Sequence, residues 1–226
     1  MCPKSPWLQP WGTVNRTRFF TMTDLSKIFT YKAAIFDLDG TLVNSEPVHL
    51  LAWQDVCRRH GMKEPTLEFL QHVGGMTTVN MCRMMCEEQG LNLDSQAIAQ
   101  EKIELYREKY MQQVTLFDEI AGFAASCHAK GIRTAVATGS HLPETRYLLE
   151  KHGILDNFDT IVSSDQVKHS KPAPDTYLEA ARRLEVAPSD CLVFEDTVIG
   201  LQGIKAAGMT SLQVLDGRVV SDYNKP

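Results

Sequence analysis

The stretch IFDLDGTLVNSE, Ile35 to Glu46, decides the fold. An apolar run, Ala33 to Phe36, ends abruptly in two aspartates two residues apart, Asp37 and Asp39, followed by Gly40 and Thr41. A short apolar run closed by Asp-Gly reads as a buried strand running into a turn. Side chains two apart on a strand point to one face, so Asp37 and Asp39 can address a single reacting centre. Two carboxylates this close repel when both ionise, which shifts one pKa upward. A calcium loop starting at Asp37 is excluded, because its fifth, sixth and twelfth positions are Thr41, Leu42 and Val48, so ligands and the obligatory glycine are missing.

Working outward, Glu46 to His60 carries Val48, Leu51, Ala52 and Val56 at helical spacing. Thr66–Val73, Val79–Gln89 and Ser95–Gln112 read as three further helices, separated by Gly74-Gly75 and by Gly90-Leu91-Asn92. From Asp118 the pattern becomes alternation: helix Asp118–Lys130, strand IRTAVATG, helix Pro143–His152, strand DTIVSS, helix Pro174–Leu184, strand CLVFED, helix Val198–Ala207, strand TSLQVL. Strand and helix alternating through short links is the mark of a parallel sheet wrapped by helices. The expected fold is therefore α/β, a Rossmann-like parallel sheet core with an inserted α-helical cap. Residues 32–44 and 115–226 form the core, 45–114 the cap, and 1–31 a disordered extension. Ligands of open α/β sheets bind beyond the carboxyl ends of the strands. Asp37/Asp39, Thr138-Gly139-Ser140 and Glu195-Asp196 all fall at such ends and are expected to converge.

Composition narrows the function classes. The chain has 226 residues, 43% hydrophobic and 23% charged, with a net charge of −5. That charge gives no general attraction to nucleic acid or anionic lipid. Six cysteines without a CxxC fit reduced thiols in a cytoplasm, and Cys82 and Cys86 read as small buried hydrophobes. The first residues have no continuous apolar segment of a secretory signal, and a transit peptide is a weaker reading there than a plain extension. No stretch approaches transmembrane length.

The motifs DLDGTL, ATGS, KPAPD and VFED, in that order and spacing, resemble the four motifs of the haloacid dehalogenase superfamily. A helical insert after the first motif is similar to the small cap of the branch containing β-phosphoglucomutase and many sugar-phosphate phosphatases. The segments VKHSKPAPDTY and VFEDTVIG look especially similar to phosphatases acting on fructose 1-phosphate and related small phosphates. The resemblance implies that Asp37 is the nucleophile and becomes an aspartyl-phosphate. It implies that Asp39 protonates the leaving oxygen and then deprotonates the hydrolytic water. Thr138, the Gly139 amide and Ser140 would hold phosphate oxygens, and Lys171 would balance the charge. Mg2+ would be held by Asp37, the Asp39 carbonyl and Asp196, with Glu195 nearby through water. A metal on Asp37 would keep that carboxyl anionic, leaving Asp39 protonated as the acid.

Three further expectations concern substrate and partners. His49, in NSEPVHLLAW, and Gly75, in the cap loop VGGMTT, are expected to meet the substrate. In β-phosphoglucomutases the similar loop carries an arginine for a second phosphate. Here the nearest is Arg83, and His141 follows TGS where the mutases carry lysine. Both departures favour hydrolysis of a small phosphorylated metabolite over a phosphohexomutase. A silent binding or regulatory protein is the remaining alternative, opposed by the intact Asp37, Asp39, Lys171 and Asp196. A monomer without nucleic-acid or membrane partners is expected. Met81, Met84 and Met85 read as a helix face packed in a core.

Overall fold

Both faces of the strand β1 (Ala33–Phe36) are apolar, and this puts it in the middle of the sheet. Ala34 and Phe36 join one buried cluster, Ala33 and Ile35 another. The structure is a computed structural model that describes residues 29–73 and 76–220. Its main sheet has the order β5-β4-β1-β6-β7-β8, with β4 at Arg133–Ala137, β5 at Thr160–Val162, β6 at Cys191–Glu195, β7 at Thr210–Leu215 and β8 at Arg218–Val219. β5, β4, β1, β6 and β7 run parallel, and β8 is antiparallel to β7. Phe36 pairs with Val136 on one side and Phe194 on the other, so three strand ends finish side by side.

Helices cover both faces. On the Phe36 side, Phe36 stacks on Phe194 at 4.6 Å between ring centroids and meets Phe123 edge-on at 6.5 Å. Ile120, Phe123, Leu148 and Leu149 fill that layer from the helices Asp118–Ala129 and Leu142–Lys151. The opposite layer holds Tyr177, Ala180, Leu184 and Ile204, from the helices Asp175–Leu184 and Val198–Ala206. Phe29 and Tyr31, assigned to the extension from sequence, pack against the first layer, with the Phe29 ring 5.9 Å from Phe123. The remainder of that extension lies outside the described residues.

Between Asn44 and Thr115 the described residues form four α-helices: α1 (Glu46–Arg59), α2 (Leu67–His72), α3 (Thr78–Glu88) and α4 (Ser95–Leu105). The core helices just described follow as α5 to α8 in chain order. Asp94 caps α4 by accepting from Gln96 N at 3.0 Å and Ala97 N at 3.1 Å, and Thr77 caps α3 from Asn80 N. These helices bury a cluster of their own that includes Trp53, Val56, Cys82, Met85 and Ile98. Met81, Cys86 and Cys57 belong to it, and Met84 packs against it.

The helix expected to run unbroken to Gln112 ends at Leu105. A π-helical turn, Tyr106–Tyr110, and a 3-10 turn, Met111–Gln113, complete the segment. Tyr106 and Tyr110 both face inward, and Tyr110 Oη donates to Asp55 Oδ2 at 2.9 Å. Sequence reading did not find the ribbon joining the insert to the sheet. In it β2 (Val43–Asn44) pairs antiparallel with β3 (Thr115–Leu116), Val43 opposite Leu116 and Asn44 opposite Thr115. Two-residue strands are too short to show a period.

Candidate active site

The residue after β1 is Asp37, whose amide donates to Phe194 O at 2.9 Å, so it continues the sheet's ladder for one more step. The chain then turns tightly, with the amides of Thr41, Leu42 and Val43 all directed at Leu38 O. Gly40 sits at φ +76, and a Cβ there would fall 2.2 Å from Asp196 Oδ2. Only glycine allows both the backbone conformation and the approach of the second acidic strand end. Thr41 Oγ1 donates to Asp196 Oδ1 at 3.1 Å and fixes that approach.

Lys171 lies at the centre of the carboxylates. Its Nζ donates to Asp37 Oδ1 at 2.7 Å and to Glu195 Oε2 at 2.8 Å. Glu195 is fully buried and accepts further bonds, from Tyr177 Oη at 2.7 Å, Thr197 Oγ1 at 2.6 Å and Thr197 N at 3.0 Å. Gly200 makes room for it, since a Cβ there would sit 2.1 Å from the Glu195 carboxyl carbon. Such saturation is what a buried charge requires.

Electrostatics follow from this crowding. Burial first, then the charge of Glu195, pushes Asp37 up to about 7 despite Lys171. Burial and the charges of Glu195 and Asp37 push Asp196 well above the carboxylate range. Burial would raise Glu195 as well, but Lys171 outweighs it and holds that carboxyl below its ordinary value. Burial would lower Lys171, and the Asp37 and Glu195 charges hold it well above the usual lysine value instead.

Asp39 occupies a different environment. Ser140 Oγ donates to its Oδ2 at 2.5 Å, and His49 Nε2 stands 3.9 Å from its Oδ1, too far for a direct bond. Burial would raise the Asp39 carboxyl, but the His49 ring and the Ser140 hydroxyl outweigh it and bring it down to about 2. Without a metal the order of the two aspartates is thus opposite to that expected for the metal-loaded site: Asp37 is the raised carboxyl and Asp39 the lowered one. A cation beside Asp37 would favour its ionised form and remove the first half of that inversion.

Behind Asp39 stands a layer that sequence reading did not resolve. Lys102, 4% exposed, has its Nζ 2.8 Å from His49 Nδ1 and lies over the rings of Tyr106 and Trp53 at 5.1 and 5.6 Å. A protonated Lys102 donates to Nδ1, which leaves the ring proton on Nε2, the nitrogen facing Asp39. The His49 ring stacks on Tyr106 at 4.1 Å. Burial lowers Lys102 to about 7, and burial with the Lys102 charge lowers His49.

These groups line one cavity of about 560 Å³. Asp37, Asp39, Thr138, Gly139, Ser140, Lys171, Glu195, Asp196 and His49, all singled out from sequence, are on its wall. Gly75 lies outside the described residues, whose nearest wall positions are Met76 and Thr77. Glu144, in the first turn of α6, also lines it and was not foreseen. A charged residue on a helix ordinarily reads as solvated, and only tertiary packing places Lys102 and Glu144 inside.

Among the described residues, Asp37, Glu195 and Asp196 are a group whose ligand atoms all lie within 4.8 Å of one another. Three carboxylates and no sulfur or imidazole donor suit a hard cation such as Mg2+. Raised Asp37 and Asp196 carboxyls, and a glycine kept clear for Asp196, fit such an ion.

Comparison with known proteins agrees in extent. The family model described as haloacid dehalogenase-like hydrolase matches residues 34–214. The fructose-1-phosphate phosphatase YqaB of Escherichia coli (strain K12) is 36% identical over 184 residues, 81% of this chain and 96% of that protein. Beta-phosphoglucomutase of Bacillus subtilis (strain 168) is 29% identical over 202 residues, 83% of this chain and 84% of that one. The crystal structure of CbbY from Rhodobacter sphaeroides in complex with phosphate superposes with a TM-score of 0.71 at 29% identity, covering 82% of this chain and 86% of that chain.

Proposed function

The chain belongs to the haloacid dehalogenase-like hydrolase family, and on that premise we propose that it is a Mg2+-dependent phosphatase of small phosphorylated metabolites, sugar phosphates above all. The observation that carries this is the pair of aspartates at one strand end held in two opposed environments. Asp37 is among converging carboxylates with Lys171, and Asp39 accepts from Ser140 with the His49 ring beside it.

An Asp37 carboxylate oxygen attacks phosphorus, and the bond to the ester oxygen breaks as Asp39 delivers a proton to it. The dianionic phosphate arriving beside Asp39 raises that carboxyl from its depressed value and lets it carry the proton. The resulting aspartyl-phosphate at Asp37 is attacked at phosphorus by a water that loses its proton to Asp39, which releases phosphate and restores Asp37. Lys171 neutralises the transferring group, and Thr138, the Gly139 amide and Ser140 hold its oxygens. Asp37, Asp196 and the Asp39 carbonyl would hold Mg2+, with Glu195 alongside, and the ion would supply further charge neutralisation at the phosphoryl group. Uncatalysed hydrolysis of phosphate monoesters is slow enough to need acceleration of up to ~10²¹-fold, which accounts for so many charges at one point.

A mutase must also grip a second phosphate. Arg83, the arginine closest to the cap loop, is exposed and donates to Asn80 Oδ1 at 3.2 Å, which supports hydrolysis. The enzyme is further proposed to be monomeric and cytoplasmic. Among the described residues no helix is long and apolar enough to cross a membrane. The test is phosphate release from a panel of sugar and small-acid phosphates, with and without Mg2+. Metal-dependent release by the wild type is expected. Interconversion of glucose phosphates without net release would overturn the reading.

A further inference from the structure

We infer that Glu144 sets the substrate class of this site. It accepts phosphate monoesters whose organic part offers hydroxyl donors and rejects those whose organic part carries a second anion. The inference rests on the phosphatase reading and deepens it.

Glu144 is 8% exposed and lines the cavity from the first turn of α6, four residues beyond Ser140, which bonds to Asp39. Ser140 and His141 lead directly into α6, so the chain passes from the Ser140–Asp39 contact to Glu144 with one extended residue before the helix. One of its oxygens, Oε1, accepts from Arg107 Nε across the gap between α6 and the π-helical turn of the insert. The other, Oε2, is buried and has no hydrogen-bond partner in the protein. A buried carboxylate oxygen left without a donor is costly. Arg107 holds the carboxylate through Oε1, and a small turn of the side chain's end toward the cavity that Glu144 lines would let a ligand donor complete Oε2.

The ligand that completes it must donate, and a sugar or polyol hydroxyl does so. A tail carboxylate or second phosphate brings only acceptors and like charge. The cavity's cations do not offset this. Lys171 is shared by Asp37 and Glu195, Lys102 is directed at His49, and Lys168 is exposed at the rim. Arg107 is not on the cavity wall, so its charge acts on the ligand through Glu144.

Two matched pairs test this, because each differs only in a CH2OH against a COO⁻: glycerol 3-phosphate against 3-phosphoglycerate, and glucitol 6-phosphate against 6-phosphogluconate. Binding to the Asp37→Asn chain is measured by calorimetry with Mg2+, with and without Glu144→Gln, while turnover is followed separately on chains that retain Asp37. The hydroxylated member should bind roughly 10–100-fold tighter in at least one pair, the scale of one charge-assisted hydrogen bond. Glu144→Gln should shrink that preference at least tenfold. Tighter binding of either carboxylate-bearing member by the Glu144 protein would overturn the inference even if the variant failed to fold. So would a preference that Glu144→Gln leaves unchanged, or the absence of binding by both pairs. If the preference shifts as stated but no phosphate is released anywhere, the hydrolase reading fails and the Glu144 assignment stands.

Discussion

Tyr177 Oη and Lys171 Nζ meet on the same oxygen of Glu195, at 2.7 and 2.8 Å, and the Lys171 ammonium also stands 5.1 Å from the centre of the Tyr177 ring. The lysine is therefore held from three sides: by two carboxylates and by an aromatic face. Removing it leaves Asp37 and Glu195 buried and uncompensated. Lys171→Met should unfold about 3–5 kcal/mol more easily, the usual result of breaking a buried pair from one side. Thermal or urea unfolding checks this, and an unchanged midpoint would show that the cluster rearranges around the loss.

Asp37→Asn removes the carboxylate proposed to attack phosphorus and retains the shape of the side chain. Phosphate release should fall by at least ~10⁴-fold, the scale seen when a covalent nucleophile is lost, with an unchanged circular dichroism spectrum. Residual turnover within tenfold of wild type would sink the assignment of Asp37.

Gly40→Ala places a methyl 2.2 Å from Asp196 Oδ2 at a residue with φ +76. The Asp196 carboxylate must leave its present position to accommodate it. Half-maximal activation in a magnesium titration should then need roughly 10–100-fold more metal. An unshifted titration curve would mean that Asp196 is not a ligand.

Acid stability has a separate source on the α7 surface. Glu179 accepts from Arg182 Nε and Nη2 at 2.7 and 2.8 Å and from Arg183 Nε at 2.7 Å, and these bonds lower its carboxyl to about 2. A carboxyl depressed on folding stabilises the fold above its ordinary value near 4.5 and loses that contribution as pH falls through about 2. The group is partly exposed, so the contribution is modest, ~0.5–1 kcal/mol. Glu179→Gln should unfold more easily than wild type at pH 7, and the two midpoints should converge near pH 2. A constant difference across that range would assign the effect to packing.

How much of this was legible in the sequence depends on where each residue's signal comes from. The alternation from Asp118 onward and the acids closing the apolar runs at Phe36 and Phe194 are local, and a buried parallel strand is written as a continuous apolar run. Their convergence follows from the sheet's topology, so Asp37, Thr138 and Asp196 could be grouped before any geometry was known. Lys102 and Glu144 carry no local signal, because their burial is imposed by helices distant in sequence. The π-helical turn at Tyr106 has the same composition as an unbroken helix. The inverted order of Asp37 and Asp39 depends on His49, Ser140 and Glu195 together, and no spacing along the chain encodes that balance.

The ribbon of Val43–Asn44 with Thr115–Leu116 brings the outgoing and returning chain side by side before the helical insert begins. A segment that leaves and re-enters at one point can be shortened, lengthened or exchanged without rethreading a single strand of the sheet. The ribbon thus acts as a splice site in the protein itself. On one side of it lies the hydrolytic chemistry, fixed by strand ends. On the other lie His49, Met76 and Lys102 of the same cavity wall, open to replacement as a unit.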